Sequence, residues 1–261
     1  MIGMVLAAGA GRRLRPYTDT LPKALIPVAD DTAILDISLH NLAAVGLTDV
    51  VVVVGYAADA VTKRVAGLQD RHGVQLTLVH NDKAEIWNNA YSMWVAREHM
   101  VGGALMVNGD TVHPPAVEEA LLAARGPDIL LAVDQEKALG EEEMKVLLDA
   151  DGNLAKITKL MDPASAHGEY IGASLIEPSA VPALAAALQV TFERDPNLYY
   201  EDGYQTFVDH GGRIGTAPIP VGTSWVEVDD HRDLARAREI ACLYERGCWL
   251  VRCSWTSGRV R

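Results

Sequence analysis

The sequence predicts an α/β protein, with a mostly parallel mixed sheet flanked by helices and a smaller sheet region added in the second half. Three observations predict it. Short β-branched runs alternate with longer helical patterns from the first residues to Asp134. One run, "DVVVVVGY", is apolar without alternation, as a parallel strand buried on both faces should be. After Asp134 the rhythm changes to "MKVLLDADGNLAKITK", two strand patterns joined by an Asp-Gly turn.

The elements follow in order. "IGMVLAA" is a strand that runs into a loop rich in glycine and arginine. Residues 32–45 carry Ile34, Leu35, Ile37, Leu39 and Leu42 near helical spacing, which predicts a helix. "DVVVVVGY" comes next, then a helix over 58–68 and the strand "VQLTLVHN". A helix over 89–99, the strand "GGALMVNGD", a helix over 115–124 and the strand "DILLAVD" complete the alternation. Such a rhythm puts helices on both sides of parallel strands. Beyond the hairpin lie the strand "GEYIGASLIEP" and helices over 178–190 and 201–210. The strands "RIGTAPIPVG" and "SWVEVDD" and a helix over 231–245 follow. No repeat, linker or low-complexity segment intervenes, so one domain is expected over 1–246, in two halves, 1–134 and 135–246. Residues 247–261 form a tail.

The 261 residues are 49% hydrophobic and 22% charged, enough for one large core and unlike a disordered chain. Acids outnumber bases 35 to 23, a formal charge of −12. Such a chain repels nucleic acid and anionic membrane overall, so an anionic ligand needs a local cluster of positive charge. No apolar stretch approaches the roughly 18 residues of a membrane helix. "MIGMVLAAGAG" lacks a basic leader and cleavage site, and a cytoplasmic protein is expected. Cys242, Cys248 and Cys253 are odd in number and fit no zinc spacing. Reduced thiols are expected, with a disulfide as the alternative.

The positive cluster is the stretch from Leu6 to Val28, "LAAGAGRRLRPYTDTLPKALIPV". It leaves the first strand at its carboxyl end, where ligands of open α/β sheets collect. Gly9 and Gly11 let backbone N–H groups approach a ligand. Arg12, Arg13 and Arg15 add forked donors for phosphate, and Lys23, stiffened by Pro22, adds a point charge. A glycine turn with solvated arginines is the plainer alternative. The dinucleotide fingerprint fails, because Leu14 stands at its third glycine and Pro16 and Pro22 keep the segment extended. The P-loop fails for want of a G-K-[ST].

The segment resembles the signature of the sugar-phosphate nucleotidyltransferases, L-A-A-G-x-G-x-R-L-x-P-x-T followed by P-K-x-L-x-P-V. It matches at Leu6, Ala7, Ala8, Gly9, Gly11, Arg13, Leu14, Pro16, Thr18, Pro22, Lys23, Leu25, Pro27 and Val28. The resemblance implies a Rossmann-like fold of the nucleotide-diphospho-sugar transferase type. It further implies that Leu6, Ala7, Ala8, Gly9, Gly11 and Arg12 line a nucleotide and that Arg13 and Lys23 act on its phosphates. The first half is then the nucleotide-binding half.

A triphosphate reaction needs a divalent cation, and Mg²⁺ takes few protein carboxylates besides phosphate oxygens. Asp110, after Gly109, closes "ALMVNGD", and Asp229 closes "SWVEVDD". Either one has a helix N-cap as its alternative role. Asp230 and Asp233 suit capping better, which leaves Asp110 and Asp229 for the metal and Glu227 as a supporting or acceptor-binding group. In the family one metal aspartate ends a "G-D" strand and the other lies in a late "D/E-V/I-D" element, and both positions match.

"EIWNNAYSMWVARE" places Asn88, Asn89 and Ser92 at the start of a helix, where amides can read a base edge or cap the helix. "EMKV", "KITK" and "GEYIG" contribute Lys145, Lys159, Glu169 and Tyr170. Together these segments resemble the cytidylyltransferase branch that acts on phosphocholine, inositol 1-phosphate or 2-aminoethylphosphonate. The resemblance implies that the second half binds the acceptor and the metal, with Lys145, Lys159, Glu169, Tyr170, Glu201 and Glu227 toward the acceptor. The acceptor's far end stays open. An aromatic cage from Trp87, Tyr91, Trp94, Tyr199, Tyr200 and Trp225 would suit a quaternary ammonium. Glu201, Asp202 and Glu227 would suit a primary ammonium or a polyol. The expected activity is Mg²⁺-dependent transfer of CMP from CTP to a small phosphorylated alcohol or phosphonate, by a homodimer with no nucleic-acid or membrane partner. A sugar-1-phosphate transferase using UTP or dTTP and a non-catalytic nucleotide sensor are the alternatives.

Overall fold

The computed structural model describes residues 1–245. Strand β1 (Ile2–Leu6) leads through the glycine-arginine loop to α1 (Ile34–Ala44), β2 (Asp49–Val54), α2 (Ala58–Thr62), α3 (Val65–His72) and β3 (Gln75–His80). Next come α4 (Asn89–Val95), β4 (Ala104–Asn108), β5 (Thr111–Val112), α5 (Ala116–Ala123) and β6 (Ile129–Asp134). The second half contributes β7 (Lys145–Leu148), β8 (Leu154–Thr158), β9 (Gly168–Ile176), α6 (Val181–Arg194), α7 (Tyr200–Asp209), β10 (Ile214–Pro218), β11 (Val226–Glu227) and α8 (His231–Glu245). The helix expected over 58–68 is two helices, and the one over 89–99 ends at Val95 before a 3-10 segment, Arg97–Gly102. "SWVEVDD" yields only two paired residues, matched to Thr111 and Val112 in a strand the sequence reading lacked.

The main sheet runs β10-β6-β9-β4-β1-β2-β3, with the β7–β8 hairpin attached to β9. Neighbours along that order are parallel except at β9, which is antiparallel to both β4 and β6. A strand from the second half thus sits in the middle of the sheet, and the two halves share one core. All nine residues of β9 are buried, which accounts for its nearly unbroken apolar run. β2 serves both faces. Val51 and Val53 pack with α4, α6 and α7, and Val50, Val52 and Val54 with α1, α3 and α5. A third cluster joins Ile34 and Ile37 of α1 to Val112, Val226 and Leu234, Ala237 and Ile240 of α8. That packing carries α8 back over the first loop.

One buried carboxyl is held with little compensation, the Asn41 amide beside it opposing the effect of burial only in part. Glu118 of α5 is 0% exposed, neither oxygen has a hydrogen bond, and His113 Nδ1 lies 3.6 Å away. Burial holds His113 down at about 4, so it is neutral and supplies no countercharge. Burial also pushes the Glu118 carboxyl well above its ordinary 4.5. The folded state therefore binds a proton that the unfolded chain releases, and stability falls as pH rises from that ordinary value toward the folded one. Glu118→Gln should remove this slope. Thermal midpoints of the two proteins should diverge in the variant's favour as pH rises above the ordinary carboxyl range, and parallel curves would refute the assignment.

Among the described residues no helix is long and apolar enough to cross a membrane. Cys242 is an exposed free thiol. Cys248, Cys253 and the tail lie outside the described residues.

Candidate active site

The site is assembled where β1 and β4, parallel neighbours, end together. The Gly109 N–H donates to the Leu6 carbonyl at 2.9 Å, and a Cβ at Gly109 would stand 2.7 Å from that oxygen. Only glycine lets the strand ends approach this closely, and the next residue, Asp110, then faces the glycine-arginine loop. The loop folds back on itself through Lys23 N–H to the Gly9 carbonyl at 3.3 Å. From the other end of the chain, β11 pairs with β5, and Val228 N–H donates to the Asp110 carbonyl at 2.8 Å. Asp229 follows. Capping of α8 falls to its neighbours: Asp230 accepts from the Arg232 and Asp233 N–H groups, and Asp233 from those of Asp229 and Asp230. The Asp229 carboxylate is left for the cavity.

Residues 87 and 206 positions apart meet here. Lys23 Nζ lies 2.9 Å from Asp110 Oδ2 and 2.6 Å from Asp229 Oδ1. Arg13 Nη2 lies 2.8 Å from Asp229 Oδ2. Burial would lower the Lys23 ammonium, but the charges of Asp110, Asp229 and Glu227 outweigh it and hold the group firmly protonated. Asp229 is held below the usual carboxylate range; burial opposes that, and Lys23 and Arg13 prevail. One oxygen each of Asp110, Glu227 and Asp229 lie within 4.8 Å of one another. Asp110 Oδ1 is buried with no hydrogen bond. An orphaned carboxylate oxygen beside two more acids is a donor set that fits a hard divalent cation. Glu227 opens onto the cavity yet sits deep between its walls. Desolvation there, then the charge of Asp110, push its carboxyl up to about 7.

Around this cluster opens a cavity of about 410 Å³. Of the expected residues, Leu6, Ala8, Gly9, Gly11, Arg12, Arg13, Lys23, Asn88, Asn89, Ser92, Asp110, Lys159, Glu169, Tyr170, Glu201, Glu227 and Asp229 line it. Arg12 makes no ion pair among the described residues and stays available. Asn88 caps α4, its Oδ1 accepting from the Asn89 N–H, while Asn89 Oδ1 accepts from the Tyr200 N–H. The Asn89 amide nitrogen has no partner among the described residues. Glu169 is paired with Lys137 at 2.8 Å.

Of the candidate ligand-binding residues, Arg15, Asp202 and the aromatics Tyr91, Trp94, Tyr200 and Trp225 do not line the cavity, and three more do not reach it. Ala7 points into the core on the opposite face from Leu6 and Ala8, as strand alternation requires. Gly109 acts through close packing. Lys145 is fully buried, and its ammonium donates to the carbonyls of Gly140, Glu141 and Glu143 at 2.9–3.0 Å, so it shapes the 140–144 loop and has no donor left for an acceptor. That loop brings Glu142 and Met144 to the wall, and neither was expected there. Asn108 also lines the cavity, and its position just before Gly109 and Asp110 was the available signal.

Gly9 is exposed at the cavity, and a Cβ there would meet nothing within 4 Å. The fold itself does not demand glycine. Gly9→Ala should leave the thermal midpoint unchanged and raise the nucleotide KM by about tenfold or more, the methyl occupying space a ligand uses. An unchanged KM would show that no ligand approaches this backbone.

A family model described as Nucleotidyl transferase matches residues 2–132. The chain is 31% identical over 244 residues to the CMP-5'-(3-aminopropyl)phosphonate synthase of Streptomyces rubellomurinus, covering 90% of this chain and 38% of that protein. It is 35% identical over 100 residues to the choline-phosphate cytidylyltransferase of Streptococcus pneumoniae, covering 38% and 41%. The match thus spans about two fifths of each of these curated relatives. The solved structure of the inositol-1-phosphate CTP transferase from T. maritima superposes with a TM-score of 0.79 at 23% identity, covering 96% of this chain and 97% of that one.

Proposed function

We propose that this chain, which belongs to the nucleotidyl transferase family, transfers CMP from CTP to a small phosphorylated alcohol or phosphonate and releases pyrophosphate. One observation carries the reading: the Lys23 ammonium bridging Asp110 and Asp229 beneath a glycine loop that opens on a cavity. The names of the relatives support CTP as the nucleotide and a phosphonate or phosphate as the acceptor.

In the proposed reaction an ionised oxygen of the acceptor's phosphoryl group attacks the α-phosphorus in line. The bond from that phosphorus to the oxygen bridging the β-phosphate breaks, and pyrophosphate leaves with the electron pair. The nucleophile is already ionised, so no side chain need take a proton; the chemistry asks for position and charge neutralisation. Arg12, Arg13 and Lys23 give the phosphates their donors. The Asn89 amide and the Ser92 hydroxyl, both on the cavity wall, would read the base. Lys159, which among the described residues has no carboxylate partner within ion-pair distance, attracts the acceptor's anionic end. Asp110 and Asp229, with Glu227, would hold Mg²⁺, which when bound neutralises phosphate charge and polarises the α-phosphoryl group.

The decisive experiment incubates the protein with each nucleoside triphosphate against phosphocholine, phosphoethanolamine, aminoethylphosphonate, inositol phosphates and sugar phosphates, reading pyrophosphate. CTP-selective release with one acceptor class supports the proposal. Release with UTP or dTTP and a sugar 1-phosphate, or nucleotide binding with no release at all, overturns it. The proposed setting is the cytoplasm, without nucleic acid, and the proposed homodimer is checked by light scattering on the purified protein.

A further inference from the structure

Asn108 ends β4 and lines the cavity, but only half of its side-chain amide is engaged. Its Oδ1 accepts from the Tyr200 hydroxyl at 3.0 Å. Tyr200 is fully buried, packs edge-on against Tyr170 and Tyr204, and holds its hydroxyl 3.1 Å from that of Tyr170. The phenol cannot move, so it fixes which way the amide points. The Asn108 nitrogen, with two N–H donors, has no partner among the described residues.

The sheet makes room for that nitrogen. Between the pairs Leu131–Ser174 and Val133–Tyr170, β9 sets Ile171, Gly172 and Ala173 against Ala132 alone, which is a bulge. Its middle residue, Gly172, has φ +82°, and a Cβ there would stand 2.5 Å from Asn108 Nδ2. Only glycine meets both demands. Gly172 lines the cavity too, so the nitrogen lies at the wall and not in the core. A donor that is aimed, accommodated and left unpaired awaits an acceptor atom from a ligand.

Strand order says which atom. β4 lies between β1 and β9. Leu6 ends β1 opposite Asn108 and leads into the glycine-arginine loop proposed for the nucleotide. Tyr170 of β9 stands on the side proposed for the acceptor, and Asp110, bonded to Lys23, lies two residues beyond Asn108. The group that both substrates share at this junction is the α-phosphoryl under attack. Its non-bridging oxygens only accept, and they carry charge during transfer. A lysine or arginine at position 108 would be captured by Asp110, as Lys23 is. A neutral amide is not captured and stays free to donate.

Resting on the proposed transferase activity, we infer that Asn108, aimed by Tyr200 and accommodated by Gly172, donates to a non-bridging oxygen of the α-phosphoryl group as it is transferred.

The test measures pyrophosphate release with CTP and with the two diastereomers of CTP that carry sulfur at the α-phosphorus, using the acceptor of the panel above that gives the fastest release. Asn108→Ala should lower kcat by about 10²–10³-fold, the usual effect of losing one such donor, with both KM values unmoved. Tyr200→Phe leaves Asn108 in place but frees its amide to turn, and should lower kcat by less. Sulfur is a poorer acceptor than oxygen. One diastereomer should therefore slow wild type more than it slows Asn108→Ala, a coupling of about 2–150-fold between mutation and sulfur, which a merely structural role would not produce. An unchanged kcat, a rise in KM alone, or equal slowing of both proteins by each diastereomer overturns the inference and leaves the cytidylyltransferase reading intact. Absence of pyrophosphate from wild type with every acceptor and nucleotide of the panel overturns the reading it rests on. Should Asn108→Ala fail to fold, Asn108→Asp, which keeps the oxygen that Tyr200 holds and loses the N–H groups, decides in its place.

Discussion

Asp110→Asn should cut pyrophosphate release by about 10²–10³-fold while leaving the thermal midpoint where it is or above it. The carboxylate sits among Glu227, Asp229 and Lys23, and its Oδ1 is buried without a hydrogen bond. For the resting fold that arrangement is a burden: three acids share a small volume with one lysine and the tip of one arginine. Removing one negative charge eases the repulsion, and Glu227, raised by burial and then by Asp110, should titrate nearer its ordinary range. The amide can still accept from Lys23, so the backbone that aligns β4 with β11 has no reason to move. What is lost is the anionic ligand. Calorimetry for the midpoint and a pyrophosphate assay for turnover check the two halves separately. A variant that unfolds would mark Asp110 as structural, and near-normal turnover would remove it from the site.

Much of this arrangement was legible because its signals are local. The glycines, arginines and prolines between Leu6 and Val28 have few other reasons to occur together, and Asp110 and Asp229 each end a recognisable apolar run. The capping pair Asp230 and Asp233 could be set apart from Asp229 by helix-start rules alone. Misreadings arose where local pattern and long-range geometry part. Ala7 and Gly109 belong to the motifs that point at the cavity but face away from it, and period-two alternation would have flagged Ala7. Lys145 reads as an acceptor-binding lysine on a hairpin, yet its partners are three backbone carbonyls, which no sequence pattern announces. Glu142 lies in "GEEEM", a run that reads as solvated charge until the buried Lys145 draws its loop over the cavity. The central place of β9 was equally hidden, because which strand neighbours which is decided by the whole sheet.

Lys23→Ala should abolish turnover and, in the same protein, tighten the binding of Mg²⁺ alone. The two effects have one cause. The Lys23 ammonium lies between Asp110 and Asp229, at 2.9 and 2.6 Å, and serves as their countercharge. A divalent ion must compete with it for those carboxylates. Once displaced, the ammonium is left unpaired in a buried position unless an anionic phosphate accepts it. Wild type should therefore bind Mg²⁺ and CTP cooperatively, each raising the other's affinity by about 5–150-fold, the usual span of a coupling free energy. Deleting the ammonium removes the competitor, so nucleotide-free Mg²⁺ affinity rises, while the coupling to CTP falls toward unity. It also strands three neighbouring acids, so the variant's thermal midpoint should drop at neutral pH and recover on adding Mg²⁺ or on acidification. Calorimetric titration with Mg²⁺, with and without CTP, measures every term. Weaker Mg²⁺ binding in the variant, or undiminished coupling, would mean that Lys23 is an ordinary ion-pair partner and not the group that exchanges between acid and phosphate.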